Sequence, residues 1–88
     1  MENYLGKRSR LIKLLVLETD KLESQGNYNI KTYADAYSDI IKEIFNVSSL
    51  SELLLDWDIF DYMFDTDSTP QETIIEIINQ LDKNIGEL

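Results

Sequence analysis

The 88-residue chain has no cysteine and no histidine, one proline and three glycines. Without cysteine there are no disulfides, thiolate metal sites or cysteine nucleophiles, and without histidine the commonest general base and zinc ligand are missing. Catalysis is left with carboxylate or lysine chemistry, and metal binding with a hard cation held by oxygen. Long apolar runs are lacking too. The longest near-continuous one, Leu14 to Leu17, falls far short of the roughly 20 residues of a membrane span. The basic opening, Met1 to Arg10, runs on into Lys13, Glu18 and Asp20 without a small-residue cleavage site, so a soluble, cytoplasmic chain is expected. Positive charge is the last scarcity: between Lys42 and Lys83 there is no Lys or Arg at all.

Against 8 basic residues stand 17 acidic ones, a net charge of −9. An apolar share of 43% and nine aromatics (five Tyr, three Phe, one Trp) are too high for the disordered acidic class. The length suits one domain with one hydrophobic core, spanning residues 1–88.

Hydrophobic periodicity predicts four helices. Leu5, Leu11, Ile12, Leu15 and Leu22 share one stripe of a first helix from about Leu5 to Glu23. Turn formers from Ser24 to Asn29 stop it, with Gly26 suited to a left-handed conformation. The second helix carries the fullest stripe: Ile30, Tyr33, Ala34, Tyr37, Ile40, Ile41, Ile44 and Phe45. Its start lies at Asn29 or at Thr32, whose partner Asp35 would complete a variant capping box. Ser49 with Glu52 is a capping-box sequence opening a third helix that runs to about Phe64. Thr69, Pro70 and Glu72 open a fourth, with Thr69 as N-cap and Pro70 at the first helical position. Ile74, Ile77, Ile78, Leu81 and Ile85 form its core stripe, and Gly86 lies where a C-terminal cap is often found. Short connections and the absence of hairpin punctuation favour an all-α fold, a small antiparallel four-helix bundle.

Charge is unevenly spread along this framework. From Met1 to Lys21 five basic residues face three acids, whereas ten acids fall between Lys42 and Lys83. On a helical wheel the third helix places Leu50, Leu53, Trp57, Phe60 and Phe64 on one side, the expected core face. Leu55, Ile59 and Tyr62 lie roughly opposite, edged by Asp58, Asp61 and Asp65 on one flank and Glu52 and Asp56 on the other. A second apolar strip rimmed by carboxylates suits an interface with a basic partner, aromatic anchors giving affinity and charge giving steering. Burial of Leu55, Ile59 and Tyr62 under the first helix or the loop before the fourth is the alternative, as a small helical domain can cover both sides of its third helix; Tyr62 and the aspartate row are expected to be exposed. The candidate partner-binding residues are Asp56, Asp58, Ile59, Asp61, Tyr62, Asp65 and Asp67.

Other features are weaker pointers. The triplet Asp56, Asp58 and Asp61 lacks the glycine and terminal bidentate glutamate of a calcium loop. Paired acids for glycosidase-type chemistry exist, but so small a core leaves no useful cleft. No catalytic residue, metal site or cofactor is therefore expected. Tyr33 and Tyr37 read as core residues whose hydroxyls reach the surface. Lys7, Arg8, Arg10 and Lys13 read as balancing charges paired with acids elsewhere, because the wider negative field opposes direct nucleic-acid binding.

Leu11 to Leu15, Gly26 leading into Tyr33 to Tyr37, Leu53 to Tyr62, and Glu72 to Leu81 follow one another in an order that resembles the colicin D-type immunity proteins and related immunity proteins of contact-dependent or polymorphic toxin systems. The likeness covers nearly the whole chain as a pattern of residue type and spacing. It implies a small helical protein made beside a toxin, often a tRNA-cleaving nuclease with a positively charged cleft, which it plugs directly or beside the active site. An acidic helix would then imitate the phosphate backbone. The short loop from Thr66 to Thr69 departs from the relatives, so no residue is carried over there. Two further readings use the same sequence features: a phage-encoded inhibitor of a nucleic-acid-handling enzyme, and a helical adaptor or homodimerisation domain.

Overall fold

The computed structural model describes residues 3–86. Five α-helices follow one another: α1 (Tyr4–Ser24), α2 (Ile30–Phe45), α3 (Ser51–Leu54), α4 (Ile59–Thr66) and α5 (Pro70–Leu81), with a closing π-helical turn, Asp82–Gly86. The fold is all-α, with no strand among the described residues. Among the described residues no helix is long and apolar enough to cross a membrane.

Local chemistry explains most of the boundaries. The Gly6 N–H donates to Asn3 Oδ1 at 2.8 Å and so caps α1. At its other end Gly26 takes φ +71°, letting the Gly26 and Asn27 N–H groups donate to the carbonyls of Glu23 and Leu22, a Schellman ending. Asn29, not Thr32, caps α2, accepting from the Lys31 and Thr32 N–H groups at 2.9 and 3.3 Å. The Thr69 box forms in full: the Glu72 N–H donates to Thr69 Oγ1 (3.1 Å) and the Thr69 N–H to Glu72 Oε1 (2.9 Å). That charge-assisted bond holds the Glu72 carboxyl below its ordinary range. The Ser49 box forms only in half. Glu52 reaches back to the Ser49 N–H, but the Ser49 hydroxyl accepts from Ser51.

The single third helix expected from Ser49 to Phe64 is two helices. Leu55 stands at φ +56°, ψ −119°, a conformation costly for a bulky side chain, and the Trp57 N–H closes a tight reversal onto the Leu54 carbonyl (2.9 Å). Asp58, in extended conformation, then restarts the chain as the N-cap of α4, accepting from the Asp61 N–H at 2.9 Å.

α1 packs on α2 and α5, α2 on α4, and α5 on α3 and α4. Leu11 and Leu15 from α1, Tyr37 and Ile41 from α2, and Ile77 and Leu81 from α5 are fully buried at the centre. Burying such aliphatic side chains stabilises the fold by about 1.5–3 kcal/mol each. Leu5, expected on the stripe of α1, is 68% exposed. Tyr37 also departs from expectation: its hydroxyl stays inside, hydrogen-bonded to Thr19, whose Oγ1 donates to the Leu15 carbonyl. Burial pushes the Tyr37 phenol up to about 12. Every buried side-chain nitrogen or oxygen among the described residues has a hydrogen-bond partner.

The π-helical turn ties the last segment to the first. Asp82 accepts from Arg8 Nε (2.9 Å), Arg8 Nη2 (3.0 Å) and the Tyr4 hydroxyl (2.5 Å). Gly86 lies so close to the Tyr4 ring that a Cβ there would sit 2.7 Å from Tyr4 Cε2. Its role is close approach and not the expected left-handed cap, since Gly26 is the described glycine with positive φ.

Candidate protein-binding surface

The restart at Asp58 sets the phase of α4 and with it the exposed chemistry. Ile59 and Met63 point into the core, each 2% exposed. Ile59 therefore leaves the set of contact residues: with the helix rephased, it faces α2 and α5 together with Met63. Phe60 and Phe64, assigned by periodicity to the core, are 40% and 67% exposed. Their rings lie nearly parallel, 13° apart in orientation, with centroids separated by 6.0 Å. Tyr62 is half-buried and packs on Trp57 at 5.2 Å between centroids.

Beside the phenylalanine strip runs a carboxylate strip. Asp61 and Asp65 each follow a phenylalanine in sequence, about 100° further round the helix, and sit about 6 Å apart along its axis. Asp56, Asp58, Asp61, Asp65 and Asp67 are all exposed, and among the described residues none of them is in an ion pair. Two have local duties as well: Asp58 caps α4, and Asp67 ends it in left-handed conformation at φ +53°. On the α2 side Lys31 borders a hollow shared with Phe60, but its ammonium is bonded to Asp35 at 2.9 Å. Of the basic residues expected to balance the charge, Arg8 pairs with Asp82 and Lys7 lies over the Phe45 ring, 5.6 Å from its centroid. Lys13 is in no ion pair among the described residues. The α4 carboxylates thus keep their charge for the solvent side.

No protein-family model, curated protein or solved structure matches this chain. A functional reading therefore rests on the residues themselves. A hollow of about 600 Å³ is an open groove between α1 and α2, where Leu14, Leu17, Ile40 and Ile44 meet Arg10, Lys21, Glu18 and Glu43. Among the described residues no three carboxylates converge on a common cation position. α4 presents two exposed rings beside an anionic edge that makes no ion pair among the described residues.

The sequence carried a signal for this arrangement. Asp58 with Asp61 three residues on, ahead of an apolar run, is the spacing of an N-cap followed by an acidic first turn. Taken as a helix start, it places Ile59 and Met63 inward and frees Phe60 and Phe64.

Proposed function

We propose that this protein is a non-catalytic binding module that neutralises a cationic protein partner, acting in the cytoplasm as an immunity protein against a nuclease toxin. Its helices serve as a four-helix-bundle frame presenting α4, and its acidic edge stands in for a nucleic-acid backbone in the toxin's basic cleft. The observation that carries this reading is the pairing on one exposed face of Phe60 and Phe64 with the uncompensated Asp61 and Asp65. Aromatic anchors give residence time, and unpaired charge accelerates encounter with a basic surface. A phage-encoded inhibitor would use the same face, and the identity of the neighbouring genes separates the two.

Co-expression with the toxin domain encoded by the adjacent reading frame provides the test, with growth as the readout. Wild-type protein should rescue growth, and Asp61→Lys with Asp65→Lys should abolish the rescue while the variant still folds, destabilised by at most about 1 kcal/mol, the cost of a lysine in the first turn of α4. Undiminished rescue by the double reversal would remove α4 from the interface. Association should slow as ionic strength rises, with dissociation changing less.

A second reading draws on Leu14 and Leu17, neighbours on one face of α1 and exposed at 38% and 54%: self-association along that helix. Sedimentation at increasing concentration detects it directly.

A further inference from the structure

The aromatic pair on α4 says more about the partner than its charge does. We infer that Phe60 and Phe64 occupy the positions of two successive bases, so that the partner's site is a cationic groove built for single-stranded nucleic acid; this rests on the binding role proposed above.

The surface repeats one unit twice. Phe60 is followed by Asp61 and Phe64 by Asp65, each unit an apolar ring with an anion at its side. One helical turn separates the units, about 6 Å along the axis. The rings keep a common orientation, 13° apart, with centroids 6.0 Å from one another. A single strand has the same construction: planar π-faces in series, each with one phosphate charge. Grooves that take such strands combine Lys and Arg along the backbone with slots or aromatic platforms on which bases stack. Both components of α4 find a counterpart there.

A duplex-binding site has no such counterpart. It grips phosphates and reads base edges in the grooves, while the π-faces remain hidden inside the base stack. Exposed phenylalanines would meet nothing designed for them. Phenylalanine also lacks hydrogen-bonding groups, so the imitation covers stacking and charge without base identity. The partner's groove is accordingly one that accepts bases by stacking, tolerant of sequence.

The experiment uses the toxin domain that passes the growth test, loaded with a fluorescein-labelled 2′-O-methyl oligouridylate, which lacks the free 2′-hydroxyl that ribonuclease cleavage uses and so stays whole, about eight nucleotides long, within the range such grooves accommodate. Titration with the wild-type protein should release the strand completely, at stoichiometric concentrations. Phe60→Leu with Phe64→Leu keeps apolar bulk and removes the π-face, and this variant should lose at least about tenfold in displacing power, close to the loss from the double Ala variant. Because Phe60 is only 40% exposed, the double variants are compared with wild type at a temperature below all their melting midpoints, and Phe64→Leu alone, at a position 67% exposed, should melt with wild type and still lose displacing power. Leu variants that displace as well as wild type, or a strand that stays bound while growth is still rescued, would overturn the inference and leave the immunity reading standing. Absence of any rescue by wild type would remove both.

Discussion

Asp82 and Asp65 are the same side chain put to opposite uses. At the π-helical turn, Asp82 receives three hydrogen bonds from Arg8 and Tyr4, and the Arg8 guanidinium, helped by the Tyr4 hydroxyl, holds its carboxyl below the ordinary range. On α4, Asp61 and Asp65 are exposed without an ion-pair partner among the described residues. One region spends charge on closing the structure, and the other leaves it to the surroundings. With a net charge of −9, self-repulsion already weighs against compactness, so an uncompensated row is a standing cost unless something outside the molecule answers it. The same division runs through α4 itself, where each turn sends one residue inward, Ile59 and then Met63, and the next residue outward, Phe60 and then Phe64.

The sharpest way to break this comparison is across α4. Ile59→Ala should destabilise by about 2–5 kcal/mol in chemical denaturation, whereas Phe64→Ala should stay within about 0.5 kcal/mol. Equal losses would mean that the helix is phased differently.

A smaller contrast separates the aspartates. Asp58→Ala removes the N-cap of α4 and should cost about 1 kcal/mol, while Asp65→Asn should leave the midpoint unchanged or raise it slightly by relieving repulsion. Paired melting curves at low and high salt give both numbers.

The smallest effects are those of pH, one at each end of the scale. Because the folded pKa of Asp82 is depressed, its contribution is fully present above the unfolded value of about 3.9 and disappears as pH falls through the lower folded value. The difference in melting temperature between wild type and Asp82→Asn should therefore shrink in acid. Tyr37 behaves in the reverse sense: its pKa is raised to about 12, so its contribution holds below the unfolded value of about 10 and fades as pH climbs through 12. Tyr37→Phe should flatten that alkaline decline.

Much of the frame was legible from residue order alone. The stripe of α2, the Thr69 box and the left-handed Gly26 each depend on neighbours within one or two turns, where spacing and backbone preference speak directly. The break at Leu55 was not legible from spacing. Leu50, Leu53, Trp57, Phe60 and Phe64 fit a straight helix as well as real ones do, and a hydrophobic pattern carries no record of one residue adopting positive φ. Only the capping chemistry of Asp58 distinguishes the two phases, and it competes with a plausible helix interior. Arg8 with Asp82, 74 residues apart in sequence, is a product of tertiary packing that no local rule reaches. The close approach at Gly86 has the same origin. For the candidate surface the outcome was mixed: the carboxylate row was readable from composition, while the rings beside it were assigned to the wrong side.

Leu55 has one further consequence. A glycine at that corner would adopt the conformation with less strain, but it would also let the unfolded and partly opened chain wander more widely. A branched side chain narrows those options, and Asn84 fastens α3 just ahead of it through a 3.0 Å bond to the Leu53 carbonyl. The corner leading into α4 is thus constrained twice, by the restricted backbone of Leu55 itself and by the side chain that reaches α3 from the closing π-helical turn.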